Sequence, residues 1–336
     1  MAKQSDRGRI TIYEVAKAAG VSISTVSLAI NRPHKVNEVT RQTVIDTAVR
    51  LGYRGQTQLP AGKRIAVAAP FSTYPSYYTR LTGMLTFAST VGVDIVVHDL
   101  PSTAGSDAPV LEALPVRAGI DGIIVMGAPL SRDATETASL PGPPVVLVDV
   151  PDSTGIHPDI PVVLIDDRRG GELIGRHLAH LGHRRVAFVH ETQRSADYVS
   201  AGMLRAEGIS RHVEVVGYEV PDSAALAPRI EAVMNDPLLT AVVANHDHLA
   251  AEIHAVLTER ARDRPLALVG YDGSITSEIL GITSVWQPLE ESGRAAMRLI
   301  LDLANGEHTH LGSLTLTPRL VVRASSTPDA SGPDDA

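Results

Sequence analysis

The stretch Thr11–Tyr53 reads TIYEVAKAAGVSISTVSLAINRPHKVNEVTRQTVIDTAVRLGY and predicts three short helices in close succession. Thr11 is the expected N-cap of the first helix, and Glu14, three residues later, completes a capping box. After a glycine stop, Ser22 is the N-cap of a second helix predicted over Ile23–Ile30. Two helices joined by such a tight turn indicate a helix-turn-helix unit, whose second helix enters the major groove of DNA.

A third helix, capped by Asn37, is predicted over Glu38–Leu51. Apolar residues at helical spacing define its expected inner face, namely Val39, Val44, Ile45, Ala48 and Val49. Three small amphipathic helices could also form a protein-interaction bundle, so the helices alone do not decide the function.

The distribution of charge favours DNA binding over such a bundle. Residues 1–64 hold eleven Lys/Arg and four Asp/Glu, a net charge of +7, whereas the rest of the chain carries −15. A basic N-terminal module on an acidic body is the electrostatic signature of a protein that binds nucleic acid through that module.

The composition limits the classes of function that remain. The 336 residues suffice for about two domains, with 44% hydrophobic and 20% charged residues. The absence of cysteine excludes disulfides, iron–sulfur clusters and thiol catalysis. Residues 1–9 are polar and no apolar run has the length of a membrane span, so we expect a cytoplasmic protein.

The stretch Thr11–Tyr53 resembles the DNA-binding headpiece of the LacI/GalR family of transcriptional regulators. The resemblance continues through the body in VVLIDDRRGGELIGRHLAHLGHRRVAFV (Val162–Val189), LALVGYDG (Leu266–Gly273), TSVWQPLEESGRAA (Thr283–Ala296) and VVRASS (Val321–Ser326). It therefore covers about residues 11–326. The family implies a C2 homodimer on a near-palindromic operator, with a small-molecule effector bound between two lobes. By family precedent the effector is a sugar or related metabolite, and a nucleoside or another metabolite stays an open alternative.

The resemblance places the base-reading positions at Ile23, Ser24 and Leu28. Short donors around them suit phosphate oxygens. The predicted DNA-binding residues are Thr11, Ser22, Ile23, Ser24, Thr25, Ser27, Leu28, Asn31, Tyr53 and Leu59. Leu28 departs from the arginine common in the family; it cannot contact guanine bidentately but can pack on a thymine methyl.

The linker between headpiece and body, RGQTQLPAGKR (Arg54–Arg64), also departs from the family. It is shorter than the family's hinge and is interrupted by Pro60. Leu59 could insert into the minor groove as the family's hinge leucine does. Pro60 leaves little room for a helical turn, so a simple flexible linker stays an equal alternative.

Short apolar runs alternate with helical stretches from Ile65 onward. The runs are Ile65–Ala69, Asp94–Val97, Gly122–Met126, Val145–Val148, Val186–Val189, Ala241–Ala244 and Leu266–Val269. Such runs predict buried strands of parallel sheets with crossover helices. The fold class is therefore an all-α headpiece followed by an α/β body of two periplasmic-binding-protein-like lobes, split near Pro161 and linked back near Pro288.

Ligands of open α/β sheets bind beyond the carboxyl ends of the strands. Polar and aromatic residues that follow the runs are the predicted effector-binding residues: Ser72, Tyr74, Tyr77, Asp149, Arg194, Ser195, Tyr198, His246, Asp272 and Trp286. Asp272 is the principal candidate because its carboxylate can accept hydrogen bonds from ligand hydroxyl or amine groups; a helix-capping aspartate is its structural alternative. Trp286 could stack on a sugar face or pack between the lobes.

Two effector positions of the family differ in this sequence. In the family, an effector-binding arginine often stands three residues before a glycine of a helix. If that glycine is Gly202, the corresponding position in this sequence is Val199. The asparagine that usually precedes Asp247 is replaced by His246. A missing guanidinium argues against a ligand that depends on it.

No enzyme signature is found in the sequence. His177, His180 and His183 are three apart, but Gly182 interrupts their helix and no carboxylate fits, so neither a metal nor a cofactor is predicted. A solute-binding protein would have no use for the headpiece, and an enzyme would need a nucleophile or a metal. The sequence thus favours a ligand-responsive regulator over both.

The expected domain bounds follow from these assignments. Residues 1–53 form the headpiece, 54–63 the linker, 64–324 the two-lobed domain and 325–336 a disordered tail rich in Ser, Pro and Asp. Lobe 1 is expected at about 64–160 and 289–314, and lobe 2 at about 161–287 and 315–324. A dimer without a tetramerising C-terminal helix is expected, because symmetric half-sites require two headpieces.

Overall fold

The structure is a computed structural model, which describes residues 10–31, 35–51, 53, 62–100, 119–138, 142–151, 160–192, 199–260, 265–306 and 313–327.

The headpiece contains the three predicted helices, α1 (Ile12–Ala19), α2 (Ile23–Asn31) and α3 (Glu38–Leu51). Each helix begins where a polar side chain satisfies its first turn. The backbone amide of Thr11 donates to Glu14 Oε2 at 2.7 Å, Thr25 N donates to Ser22 Oγ at 3.1 Å, and Thr40 N donates to Asn37 Oδ1 at 3.1 Å. The predicted capping is confirmed.

The headpiece core is built from one apolar face of each helix. Val15, Val26 and Val44 are fully buried at its centre. Val39 and Ile45, which were expected on the inner face of α3, are 75% and 39% exposed. That expectation was wrong for both residues.

The body contains twelve strands and eight helices among its described residues. In chain order they are β1 (Arg64–Ala69), α4 (Ser76–Val91), β2 (Asp94–Asp99), β3 (Gly122–Met126), α5 (Arg132–Ala138), β4 (Val145–Val148), β5 (Val162–Ile165), α6 (Asp167–His180), β6 (Arg185–Glu191), α7 (Ala201–Ser210), β7 (Glu214–Val220), α8 (Ser223–Asn235), β8 (Ala241–Ala244), α9 (Asp247–Arg260), β9 (Ala267–Asp272), α10 (Ile275–Ile279), β10 (Thr283–Trp286), α11 (Leu289–Ala304), β11 (Ser313–Leu316) and β12 (Arg319–Val321).

These strands form two separate six-stranded sheets, in the orders β11-β5-β4-β3-β1-β2 and β12-β10-β9-β8-β6-β7. The first sheet is parallel throughout, and in the second only β12 runs antiparallel to its neighbour. Apolar clusters cover both faces of each sheet. The predicted class, a helical headpiece with a two-lobed α/β body, is confirmed.

The expected lobe boundary near Pro161 needs correction. Strand β5 pairs in parallel with β4, with Leu147 opposite Val162, and so belongs to the first lobe. The chain first crosses between the lobes after Ile165, returns between β10 and α11, and crosses again after Leu316. The boundary expected at 314/315 falls inside β11, because Thr315 and Leu316 also pair with β5.

The expected start of a disordered tail at residue 325 is also wrong. Ser325 and Ser326 end a short 3-10 helix, and Ser326 is 1% exposed. Ser325 Oγ donates to Leu268 O at 2.6 Å, which ties this segment to the second sheet. Residues 328–336 lie outside the described part.

Within the described residues, no helix combines the length and the apolar character that crossing a bilayer requires.

Candidate functional site

The turn between α1 and α2 presents one face of α2 to solvent. Gly20 adopts a left-handed conformation (φ 66°) and ends α1, so the chain can reverse within three residues. On α2, Val26 and Ala29 are buried, whereas Ile23 and Leu28 are 41% and 36% exposed. The exposed side of α2 is therefore the face that a DNA groove can contact.

Polar side chains surround this exposed face. Thr11, Ser22 and Ser24 are exposed, and Thr25 and Ser27 are half-buried. Ser22 Oγ lies 2.8 Å from both Ser24 Oγ and Thr25 Oγ1. The structure thus brings together three hydroxyls of the predicted DNA-binding set, those of Ser22, Ser24 and Thr25.

One of the predicted DNA contacts, Tyr53, does not lie on this face. Tyr53 is 7% exposed and packs in the headpiece core, so its assignment as a DNA contact is corrected. Leu59 lies outside the described residues, and so does the side chain of Asn31.

A cavity of about 560 Å³ lies between the two lobes, at the carboxyl ends of their strands. Six of the predicted effector-binding residues line it: Tyr74, Tyr77, Asp149, His246, Asp272 and Trp286. Ser72 does not; its backbone amide donates to Asp99 Oδ1 at 3.0 Å and its hydroxyl to the same carboxylate. Arg194, Ser195 and Tyr198 lie outside the described residues.

Asp149 and Asp272 occupy corresponding positions in the two lobes. Asp149 follows β4 and Asp272 ends β9, and they are the two non-glycine residues with positive φ in the described chain, at 55° and 118°. Such backbone is strained for an L-residue and is found mainly at binding sites and turns. Both carboxylates are thereby held at the cavity wall.

Asp149 forms an ion pair with Arg80 of α4, whose side chain is 3% exposed. Burial raises the pKa of Asp149, against the opposing effect of the Arg80 charge. The arginine was missed by sequence reasoning because it lies inside a helix, eleven residues after the end of β1.

Arg205 of α7 supplies a second buried guanidinium. Its Nε donates to Asp167 Oδ1 at 2.8 Å, and its Nη1 donates to Asn245 O at 2.6 Å. The guanidinium carbon lies 3.8 Å from the centre of the Tyr271 ring. The assignment of the family's arginine position to Val199 was therefore wrong: Arg205 stands three residues before Gly208, and choosing that glycine instead of Gly202 would have found it.

His246 and Glu191 form an ion pair on the lobe-2 side of the cavity. Burial lowers the pKa of His246, but the hydrogen bond and charge of Glu191 outweigh it, and the net shift is upward. Burial conversely raises the pKa of Glu191, but His246 outweighs it and holds that pKa at about 2. The Tyr74 ring of lobe 1 lies 6.3 Å from the His246 ring, edge to face, so this pair borders the contact between the lobes.

Asp272 and Gln287 are joined at the base of the cavity, where Gln287 Nε2 donates to Asp272 Oδ1 at 2.7 Å. Burial first, and the charge of Asp247 second, raise the pKa of Asp272 to about 6. Nearby, Arg319 covers one face of Trp286 at 4.6 Å from the ring. The cavity thus combines aromatic rings with buried carboxylates, which suits a small polar ligand.

His177 and His183 do not share a site. His177 Nε2 contacts Ser326 Oγ at 2.9 Å, and His183 Nδ1 contacts Thr240 Oγ1 at 2.8 Å.

Comparison with known proteins agrees with this architecture. Residues 11–56 match the family described as bacterial regulatory proteins, lacI family, and residues 176–326 match a periplasmic binding protein-like domain. The transcriptional regulator DegA of Bacillus subtilis is 28% identical over 342 residues, covering 95% of this chain and 99% of its own. Catabolite control protein A of Priestia megaterium is 27% identical over 337 residues, with 94% and 99% covered.

Among solved structures, the transcriptional regulator CelR in complex with cellobiose is 26% identical, with a TM-score of 0.62, and the match covers 94% of this chain and all of CelR. A helix-turn-helix headpiece joined to a two-lobed ligand-binding domain defines a class of bacterial transcription regulators. The headpiece, residues 11–56, belongs to the lacI family of these regulators, and the chain is similar to such regulators over 94–95% of its length. The relatives DegA and CelR are named as transcriptional regulators, which agrees with the prediction of a regulator and not an enzyme.

Proposed function

We propose that the protein is a repressor that binds a near-palindromic operator as a homodimer, with an affinity set by a small molecule in the cavity between its lobes. The effector is a sugar or a related metabolite. The observation that carries the proposal is the presence in one chain of an exposed α2 face and a cavity lined by buried charged groups.

The DNA side of the proposal rests on the exposed face of α2. Three side chains on that face would contact the base edges, namely those of Ile23, Ser24 and Leu28. The net charge of +7 on residues 1–64 would supply the attraction to phosphates. A dimer is part of the proposal because one headpiece reads only one half-site.

The effector side rests on the geometry between the lobes. The cavity is bounded by side chains of both lobes, so a ligand bound there would favour one relative arrangement of the lobes over another. In a dimer this arrangement would set the spacing of the two headpieces, which couples ligand binding to operator binding. A cytoplasmic location stays a prediction that follows from this function.

The test is a binding selection with the full-length protein and randomised duplex DNA, followed by a footprint on the enriched sequence. We expect a near-palindrome of two half-sites, each protected, and a dimer by sedimentation. Pools that show no enrichment after repeated rounds would overturn the proposal.

A further inference from the structure

Trp286 stands where the chain leaves one lobe for the other. It is the last residue of β10, and the chain passes from it to α11 of the first lobe through only Gln287 and Pro288. Trp286 is the only tryptophan of the chain, and its half-buried side chain lines the cavity. The indole therefore lies where the cavity meets one of the segments that join the lobes.

Arg319 stands at a second crossing of the same kind. The chain reaches it from β11 of the first lobe through only Thr317 and Pro318. Arg319 begins β12 and is the direct partner of Trp286 in the antiparallel pairing of β12 with β10. Because both crossings have only two residues, the second of which is a proline with a restricted φ, few backbone bonds can absorb a movement of one lobe against the other.

The side chains of Trp286 and Arg319 are stacked. The guanidinium carbon of Arg319 lies 4.6 Å from the centre of the Trp286 ring. Tryptophan is the aromatic side chain that attracts a cation most strongly. Among the described residues Arg319 forms no ion pair, so its ordered partner is the indole. The stack therefore joins the second-lobe ends of the two crossings through their side chains.

On its other side in the sheet, Trp286 lies beside Asp272 and Gly273. Asp272 is its partner in the parallel pairing of β10 with β9. Gly273 (φ 67°) leaves room for the indole, since a Cβ at this position would lie 2.8 Å from Trp286 Cδ1. Asp272, Trp286 and Arg319 thus form one row across three neighbouring strands, and the first two line the cavity.

We propose that Arg319 is a positioning residue, which through Trp286 holds the two crossings in the lobe arrangement of this structure. This inference rests on the proposed function, in which the arrangement of the lobes sets the affinity for the operator. Arg319 does not itself belong to the described lining of the cavity, so it acts through the indole. An effector that contacts Trp286 would act on the same stack, which links the cavity to the crossings.

The first test uses the fluorescence of Trp286, the only indole signal of the chain. Arg319→Ala should shift the emission to longer wavelength and increase quenching by acrylamide, because water then reaches the uncovered face of the ring. Arg319→Lys retains a cation and should stay close to the wild type. Arg298→Ala is the matched control, because Arg298 is also exposed and lies 5.5 Å from the centre of the Phe87 ring in the first lobe.

The second test is a titration of the selected operator with the same full-length variants. We expect Arg319→Ala to change the operator affinity about threefold or more, as an increase or a decrease, because the population of the lobe arrangement shifts. The affinity for a scrambled duplex should not change. Arg319→Lys and Arg298→Ala should bind the operator within about twofold of the wild type. In a Trp286→Leu background, Arg319→Ala should have no further effect, since its partner is already absent.

Four results would each overturn the inference. They are an unchanged emission in Arg319→Ala, an operator affinity of that variant equal to the wild type, the same change in Arg298→Ala, and the full effect of Arg319→Ala in the Trp286→Leu background. If the wild-type protein enriches no operator, the proposed function fails instead, and the fluorescence comparison still decides whether Arg319 holds the indole.

Discussion

Arg205 Nε donates a hydrogen bond of 2.8 Å to Asp167 Oδ1, and both side chains are at most 10% exposed. This pair joins α7 to the first turn of α6 at the base of the cavity. A buried ion pair stabilises a folded protein little more than apolar residues in its place would. Removing only one partner is destabilising, however, because the other charge is then buried without a counter-charge.

We therefore expect Asp167→Ala to lower the free energy of unfolding by about 3–5 kcal/mol. Glu207→Ala is the matched control, because Glu207 pairs with Arg168 between the same two helices but is 47% exposed. The loss of unfolding free energy in the Glu207→Ala variant should stay below about 1 kcal/mol. Urea denaturation of both variants measures the difference, and equal losses would contradict a buried role for the Arg205 pair.

Leu28 should set the base preference at one position of each half-site. Because leucine can contact a thymine methyl but not guanine, the selected operator should contain A·T at that position. Leu28→Arg should move the preference towards G·C by about 1–3 kcal/mol. Binding selection with the wild-type protein and with the Leu28→Arg variant measures this base preference directly.

Ile45→Arg is the control for the added charge, since Ile45 is exposed on α3 rather than on α2. It should strengthen binding to all duplexes without changing the preferred base. A guanine at that position in the wild-type selection would show that Leu28 does not read the base as described.

Tyr53 should stabilise the headpiece without contacting DNA. Tyr53→Phe keeps the buried ring and should leave operator affinity unchanged within about twofold, whereas Tyr53→Ala should lower headpiece stability by about 3–5 kcal/mol. Operator titration and thermal unfolding of the two variants separate these effects. A large loss of affinity in the phenylalanine variant would restore the hydroxyl as a DNA contact.

The Glu191–His246 pair should make stability depend on pH in a defined direction. Because its pKa is lowered in the folded state, Glu191 contributes to the free energy of unfolding. This contribution is complete at pH values above the pKa of Glu191 in the unfolded chain, and it is lost as the pH falls towards about 2. Because its pKa is raised in the folded state, His246 also contributes to the free energy of unfolding. This contribution is complete at pH values below the pKa of His246 in the unfolded chain, and it is lost as the pH rises through the pKa in the folded chain.

Both contributions are therefore present near pH 5.5. Glu191→Gln should lower the free energy of unfolding more at about pH 5.5 than at about pH 9, because the imidazole loses its charge as the pH rises through the folded pKa of His246. Glu214→Gln removes a partner of an arginine and should give the same loss at both values. A Glu191→Gln loss that does not change with pH would show that the pair is not ionised as described.

Local signals in the sequence predicted the headpiece almost completely. The caps Thr11, Ser22 and Asn37 and the stop at Gly20 act within one turn of their helices, so the helix bounds could be derived from the residues alone. Burial was harder to predict, because Val39 and Ile45 are apolar at helical spacing but face away from the small core that Val15, Val26 and Val44 fill.

The cavity was predicted only where its residues follow strands. Asp149, His246 and Asp272 stand at strand ends and were identified by that rule. Arg80 and Arg205 reach the cavity from inside helices, and Gln287 reaches it from a crossover, so their positions depend on how the lobes pack. The crossing after Ile165 was missed for a related reason, since one of the two strands that β5 pairs with, β11, is distant in sequence.

The most direct test of the central claim is a titration of the selected operator, and of the same duplex with both half-sites scrambled, at increasing salt concentration. The account predicts that the operator binds about a thousandfold or more tightly than the scrambled duplex at physiological salt. Both affinities should fall as salt rises while a large difference persists. Equal affinities at every salt concentration would show that the basic headpiece attracts DNA without reading it.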